Sequence, residues 1–151
     1  MMLTEQDLDE MMEACLRVTG VSRHGVITYR LEKELGNAGE ATLDQAHYER
    51  FVIEINPDLT VHPAEKAEEQ KRPIKAALRT VLHECVHVML APTFLYHQSV
   101  KKMAHHSVHD AIDAMHEFSD ETCTVRVTDA LMPQAWSEYQ KIKKTRSKTN
   151  E

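Results

Sequence analysis

The residues His83-Glu84-Cys85-Val86-His87 form the pattern H-E-x-x-H and lie in a largely apolar segment that begins at Pro73. On a helix this spacing places two imidazoles one turn apart on one face, and the carboxylate between them can reach a water held by a metal ion. Such a helix needs a protein core against its other face and a third metal ligand from elsewhere in the chain. The rest of the sequence must therefore provide a hydrophobic core for this helix and a third metal ligand.

The residues around the motif predict an amphipathic helix. Pro73 suits the first helical position, where its missing N–H leaves no hydrogen bond unmade. At 100° per residue, apolar side chains form one stripe that consists of Ile74, Leu78, Val81, Leu82, Cys85 and Met89. His83 and His87 fall on the opposite side, with Thr80. The alternative is an ordinary amphipathic helix whose exposed face carries these residues by chance, although helix-stabilising pairs are more often Glu–Lys or Glu–Arg than His–His.

The composition predicts one globular domain over residues 1–142, followed by a basic, flexible tail over residues 143–151. The 151 residues are 42% apolar and 28% charged, as in soluble proteins. No apolar run reaches the roughly 20 residues of a membrane span, and no signal peptide is visible. Three widely spaced cysteines give no disulfide framework, so we expect a cytoplasmic location. The net charge of −6 makes nucleic acid an unlikely partner.

Three elements are predicted ahead of the motif helix. Thr4 and Asp7 form a capping-box pattern that opens a first helix, and Gly20 is suited to end it. Two segments rich in β-branched and aromatic residues, Val26–Leu31 and Phe51–Asn56, predict strands. A third strand between residues 40 and 50 has a weaker signal. The polar residues 61–72 predict a loop or a short surface helix.

The motif helix is expected to end near Ala91 and Pro92, because proline rarely continues a helix. Residues 93–102 then predict a loop or short turn. A further helix is expected from near Ser107 to about Met132, where Pro133 either ends it or begins the next piece. Residues Trp136–Lys144 are expected to continue as a short helix. On the first of these, Glu117 and Glu121 lie one turn apart on the same side.

Two histidines do not complete a catalytic zinc site, which uses three protein ligands and leaves a position for water. In the metzincin arrangement a glycine and a third histidine follow the motif at fixed positions. Here neither a glycine nor a third histidine stands at the required spacing. That arrangement is excluded, and a glutamate from the following helix is the next common solution.

At this point the chain resembles the small single-domain gluzincins of bacteria and phages (minigluzincins). It is more loosely similar to metallopeptidase domains of the ImmA/IrrE type. The resemblance covers roughly residues 50 to 133 and depends on the H-E-x-x-H motif. It also depends on Glu121, which is followed by Val125, Thr128 and Ala130-Leu131-Met132-Pro133. The resemblance implies an α+β, zincin-like fold, in which a small antiparallel or mixed sheet packs on the motif helix and on a following, glutamate-bearing helix.

The resemblance also implies a Zn²⁺ cofactor bound by His83, His87 and Glu121. Spacing does not separate Glu121 from Glu117, which stays the alternative third ligand. Asp120 is then a candidate acceptor for an imidazole N–H. A third possibility, as in SprT-like zinc peptidases, is a histidine ligand. Four histidines lie in the right region (His97, His105, His106 and His109), but none of them is followed by the glycine of that family.

The implied activity is hydrolysis of peptide bonds by a metal-activated water, with Glu84 as general base. A peptide or protein would be the substrate, and Tyr96 or a histidine near it could stabilise the oxyanion. If strand 51–56 lies at the sheet edge, it could pair with an extended peptide.

Two other interpretations stay open. One is a catalytically silent zinc-binding domain of the same fold, with a regulatory or interaction role. The other is a metal-free helical interaction protein, in which the motif is accidental. The intact Glu84 favours the enzyme.

Overall fold

The computed structural model describes residues 2–23, 25–44, 50–62 and 71–149. Six elements of regular structure follow in the order α1 (Glu5–Thr19), β1 (Val26–Leu31), β2 (Gly39–Leu43), β3 (Arg50–Ile55), α2 (Pro73–Met103) and α3 (His109–Thr149). Short 3-10 turns lie at Val21–Arg23 and His106–Val108. Most of the polar segment predicted as a loop or short helix, residues 63–70, lies outside the described residues.

The three strands form a mixed sheet in the order β1-β3-β2. β3 pairs in parallel with β1 and antiparallel with β2, so that Phe51 lies beside Ile27 on one side and Leu43 on the other. The predicted α+β class with a small mixed sheet is confirmed, and β2 is the third strand. Residues 51–56 do not lie at an edge of this sheet, so the condition for their pairing with a peptide is not met. Their inward side chains Phe51, Ile53 and Ile55 are all buried, and this apolar strand takes the central place.

α1 forms as its capping residues predict. The Asp7 N–H donates to Thr4 Oγ1 at 3.2 Å, and the Thr4 N–H donates to Asp7 Oδ2 at 3.1 Å. Gly20 ends the helix with φ of +67°, a conformation that glycine adopts without a steric penalty. The buried face of α1 includes Leu8, Met11, Met12 and Cys15, which join the core formed with β3, α2 and α3.

α2 continues through Pro92, so the loop predicted over residues 93–102 is wrong. A proline inside a helix removes one hydrogen bond and costs about 3 kcal/mol. Beyond Pro92, side chains of α2 contact α3, and these contacts offset part of that cost. His97 lies 3.2 Å from Asp113 and its ring stacks on that of His116, while Lys101 pairs with Asp113.

α3 likewise runs through Pro133 without interruption, and the prediction that a helix ends there is wrong. Side chains on both sides of the proline are buried in the core, namely Met132, Ala135, Tyr139 and Ile142. Their burial holds this segment helical against the propensity of the proline. Residues 143–149, predicted as a flexible tail, continue the helix, and Arg146 lies 2.8 Å from Glu13.

α2 and α3 are long antiparallel helices of 31 and 41 residues. Their side-chain contacts run from Arg79–Asp129 at one end to Lys101–Asp113 at the other. Across the described ranges, no helix combines the length and the apolar composition that a membrane span requires.

Candidate metal centre

Three side chains from α2 and α3 converge where the two helices cross. Nε2 of His83 lies 3.1 Å from Nε2 of His87. The Glu121 carboxylate spans both rings, with Oε1 at 3.4 Å from His83 Nε2 and Oε2 at 3.4 Å from His87 Nε2. The H-E-x-x-H spacing aligns the two imidazoles, and the packing of α3 against α2 supplies the carboxylate. These three residues form a group that could hold a metal ion.

The separations suit a four-coordinate ion. Donors bonded at about 2.0–2.1 Å to one tetrahedral ion stand about 3.3–3.4 Å apart. The two imidazole nitrogens, 3.1 Å apart, are close to that spacing. The two distances of 3.4 Å to Glu121 start from different carboxylate oxygens, and one ligand atom from each residue lies within 4.8 Å of the others. Two imidazoles and a carboxylate can therefore approach one ion after small adjustments of the side chains.

The other predicted ligands lie elsewhere. Glu117 is exposed one turn before Glu121 and is outside the converging group. His97 contacts Asp113 and His116. The remaining three histidines cluster at the turn between the helices, where His105 contacts Ser107 and His109 contacts the Ala104 carbonyl. Tyr96 is 73% exposed and does not line the cavity described below.

Two residues of α3 hold the far nitrogen of His87. Asp120 Oδ2 lies 3.3 Å from His87 Nδ1, which agrees with its predicted role as an acceptor. Thr124 Oγ1, fully buried, lies 3.4 Å from the same nitrogen. When Nε2 binds a metal, Nδ1 carries the proton and needs such acceptors. The sequence analysis missed Thr124, although its spacing of four residues after Asp120 places both on one helix face.

Glu84 lies beside the ligands in a buried position. The Ala41 N–H of β2 donates a hydrogen bond to its carboxylate. Burial raises the pKa of Glu84 to about 8, and the charges of Glu121 and Glu40 act in the same direction. The carboxyl group of the metal-free protein is therefore largely protonated at neutral pH, since that environment penalises its charge.

Gly39 allows β2 to approach Glu84 closely. A Cβ at this position would lie 3.0 Å from Thr80 Cγ2 and 3.1 Å from Glu84 Cγ. A side chain at this position would therefore require its neighbours to shift by a few tenths of an ångström. A close approach between distant segments leaves no local signal, so the sequence alone did not predict this role of Gly39.

A buried histidine supports α2 one turn before the ligands. His62 Nε2 lies 2.8 Å from the Asn56 carbonyl, and its Nδ1 lies 3.2 Å from Thr80 Oγ1. Burial lowers the pKa of His62, so the neutral ring is favoured. The contacts attach the segment after β3 to the motif helix.

A cavity of about 570 Å³ opens between β2 and α2 over the converging residues. β2 contributes its whole length, and Asp120 and Glu121 of α3 close one side. His83, Glu84 and His87 all line this cavity. The candidate ligands and Glu84 are thus open to a molecule of peptide size.

Among the described strands β2 lies at an edge of the sheet, and its outer edge faces this cavity. Ala38 accepts from the Asn56 N–H, and the Asp44 N–H donates to the Arg50 carbonyl. In an antiparallel pair such bonded residues alternate with unbonded ones. Residues 39, 41 and 43 therefore direct their backbone groups away from β3, as the bond from Ala41 to Glu84 also requires.

Comparison with known proteins gave no relative. No protein-family model, curated protein or solved structure is significantly similar to this chain. The functional assignment therefore depends on the geometry of the metal centre and its cavity.

Proposed function

We propose that this chain is a zinc-dependent metallopeptidase of the zincin type, the activity that its sequence motif implies. The observation that carries the proposal is the convergence of His83, His87 and Glu121 beside Glu84 in one cavity. An accidental motif on an exposed helix face would not require a third ligand, a buried carboxylate and a peptide-sized opening at the same place.

Zinc is the proposed ion because of the donor set. Two imidazole nitrogens and one carboxylate are typical of catalytic zinc sites, which leave a further position for water. Zn²⁺ bound there would supply Lewis acidity and would lower the pKa of a coordinated water.

Glu84 is the proposed general base. Its carboxylate lies next to the ligands and is oriented by the Ala41 N–H. Once the ligands hold a dication, the ionised form of Glu84 is favoured, because opposite charge lowers a carboxyl pKa. Glu84 then accepts a proton from the attacking water and delivers it to the leaving amine.

The residues behind His87 keep the ligand in place. Asp120 and Thr124 accept the Nδ1–H, which fixes the tautomer and directs Nε2 toward the ion. The Ala41 N–H donates to Glu84, and the other outward backbone groups of β2, at Gly39, Leu43 and the Ala41 carbonyl, offer an extended peptide a strand to pair with. A substrate so bound would cross the cavity next to Glu84.

The proposal is tested with zinc-loaded wild-type protein and its Glu84→Gln variant. We expect wild type to cleave unstructured peptides and the variant to lose at least about 10²-fold in rate while keeping its zinc. Glu117 is an exposed glutamate outside the converging group, so Glu117→Gln is the matched control. This variant should keep the wild-type cleavage rate and its zinc.

Other outcomes identify the alternatives. Zinc binding without cleavage of any peptide would overturn the proposed peptidase activity and indicate a catalytically silent zinc-binding domain. No zinc binding by wild type would indicate the metal-free interaction protein.

A further inference from the structure

The cavity is a groove whose two ends differ in chemistry. Gly39, the first residue of β2, lies against Thr80 and Glu84 within α2. A small adjoining cavity is lined by residues 37–39 together with Arg79 and Thr80, whereas Leu43 lines the main cavity together with Leu90 and Ala91. β2 and α2 therefore run in the same direction along the groove. The groove therefore has a Gly39 end and a Leu43 end, with the candidate ligands between them.

The Gly39 end is mixed in character. Asn37, Arg79, Thr80 and Glu121 line a second, adjoining cavity there, with His83 and Glu84, and its apolar residues are Ala38 and Val125. This end therefore combines charged and polar groups with small apolar side chains.

The Leu43 end is apolar. It is lined by Leu43, Phe51, Val88, Leu90 and Ala91. Phe51 and Val88 are buried, while Leu43, Leu90 and Ala91 are partly buried and keep some apolar surface open to the cavity. Such apolar surface gains free energy when another apolar group covers it.

We infer that the Leu43 end binds a large apolar side chain of the substrate, so that the enzyme selects peptides by an apolar residue close to the cleaved bond. The inference rests on the proposed peptidase function. The occupant is a substrate side chain because the apolar surface is continuous with the groove that holds the candidate ligands and Glu84.

The direction in which a peptide pairs with β2 determines on which side of the cleaved bond the apolar residue lies. Antiparallel pairing is more stable per residue than parallel pairing and is the commoner form. A peptide antiparallel to β2 enters at the Leu43 end and leaves at the Gly39 end. The apolar residue therefore lies before the cleaved bond, within about two residues of it, since Leu43 is two residues from Ala41 beside Glu84.

The first experiment measures binding without turnover. Two zinc-loaded proteins, Glu84→Gln and Glu84→Gln with Leu90→Gln, are titrated with matched eight-residue peptides that differ by leucine or asparagine at one position. We expect the leucine peptide to bind Glu84→Gln about tenfold or more tightly. Leu90→Gln should remove most of that preference, and Leu95→Gln, on the same helix outside the groove, should leave it unchanged.

The second experiment maps the cleavage sites of wild type in a mixture of unstructured peptides. Enrichment of apolar residues at the two positions before the bond is expected. Enrichment only after the bond, or equal binding of the two peptides, would overturn the inference. A leucine preference in binding without any cleavage would refute the peptidase function and leave the selectivity of the groove intact.

Discussion

The two long helices each have a part inside the core and a part outside it. Residues 73–88 of α2 and 124–142 of α3, here called the core half, contain the buried positions. Residues 89–123, here called the hairpin, contain no buried side chain among those described. The candidate ligands lie at the boundary, since His83 and His87 belong to the core half and Glu121 to the hairpin. Hydrophobic burial thus fixes two ligands, while the third depends on polar contacts between helices.

The largest expected effect concerns Glu84 in the core half. Its pKa is about 8 in the folded, metal-free protein against an ordinary value of 4.5. Between these values the folded state binds more protons than the unfolded state, so stability falls as the pH rises. Glu84→Gln should therefore stabilise the metal-free protein above pH 8 by on the order of 4 kcal/mol. Urea unfolding at pH 5 and pH 9 measures it.

The control for that experiment lies in the hairpin. Glu117→Gln, at an exposed position, should leave the pH dependence of unfolding unchanged. Parallel pH curves for wild type and Glu84→Gln would contradict the buried environment of Glu84.

Shortening one apolar side chain in the core half and one in the hairpin compares how much each region contributes to the free energy of unfolding. Leu82 is fully buried, and Leu82→Ala should lower the free energy of unfolding by about 3 kcal/mol. Met115, in the hairpin, is 74% exposed, and Met115→Ala should change it by less than about 0.5 kcal/mol. Equal losses of unfolding free energy in the two variants would mean that Met115 is packed as well as Leu82, and would contradict the distinction between the hairpin and the core half.

At the boundary, two buried threonines differ in one contact. Thr124→Val removes the hydroxyl beside His87 Nδ1 and should weaken zinc binding about tenfold. Thr128→Val is the control, because the Thr128 hydroxyl is buried and makes no hydrogen bond to any described residue. Calorimetric titration with zinc distinguishes them, and equal affinities for both variants would exclude a role of Thr124 in holding His87.

The smallest effect is expected for the hairpin contacts. Asp113→Asn removes the carboxylate that His97 and Lys101 share. Global unfolding should stay near wild type, while amide exchange of residues 95–115 should increase about tenfold through local opening. Unchanged exchange would show that other contacts hold the hairpin.

Local signals in the sequence predicted much of the core half. The capping box at Thr4 and the apolar stripe behind the motif correspond to α1 and to the buried face of α2. The hairpin was missed because Pro92 was taken as the end of a helix, whereas contacts from His97 and Lys101 to α3 keep it helical. Pro133 was likewise taken as the end of a helix, although α3 continues through it.

In the metal centre, too, the local sequence predicted some residues, while tertiary packing determined the others. Spacing alone gave His83, Glu84 and His87, because both ligands share one helix. It could not separate Glu117 from Glu121, since these residues lie one turn apart and the crossing of the helices decides which one reaches the histidines. The close approach of Gly39 to Glu84 depends on tertiary packing and has no counterpart in the local sequence.

The most direct test of the account is the zinc content of purified wild type and of His83→Ala, Glu121→Ala and Glu117→Ala. We predict about one zinc per chain in wild type and in Glu117→Ala, and loss of zinc in the other two. Absence of zinc from wild type after zinc is supplied, or its full retention in Glu121→Ala, would contradict a centre shared between the core half and the hairpin.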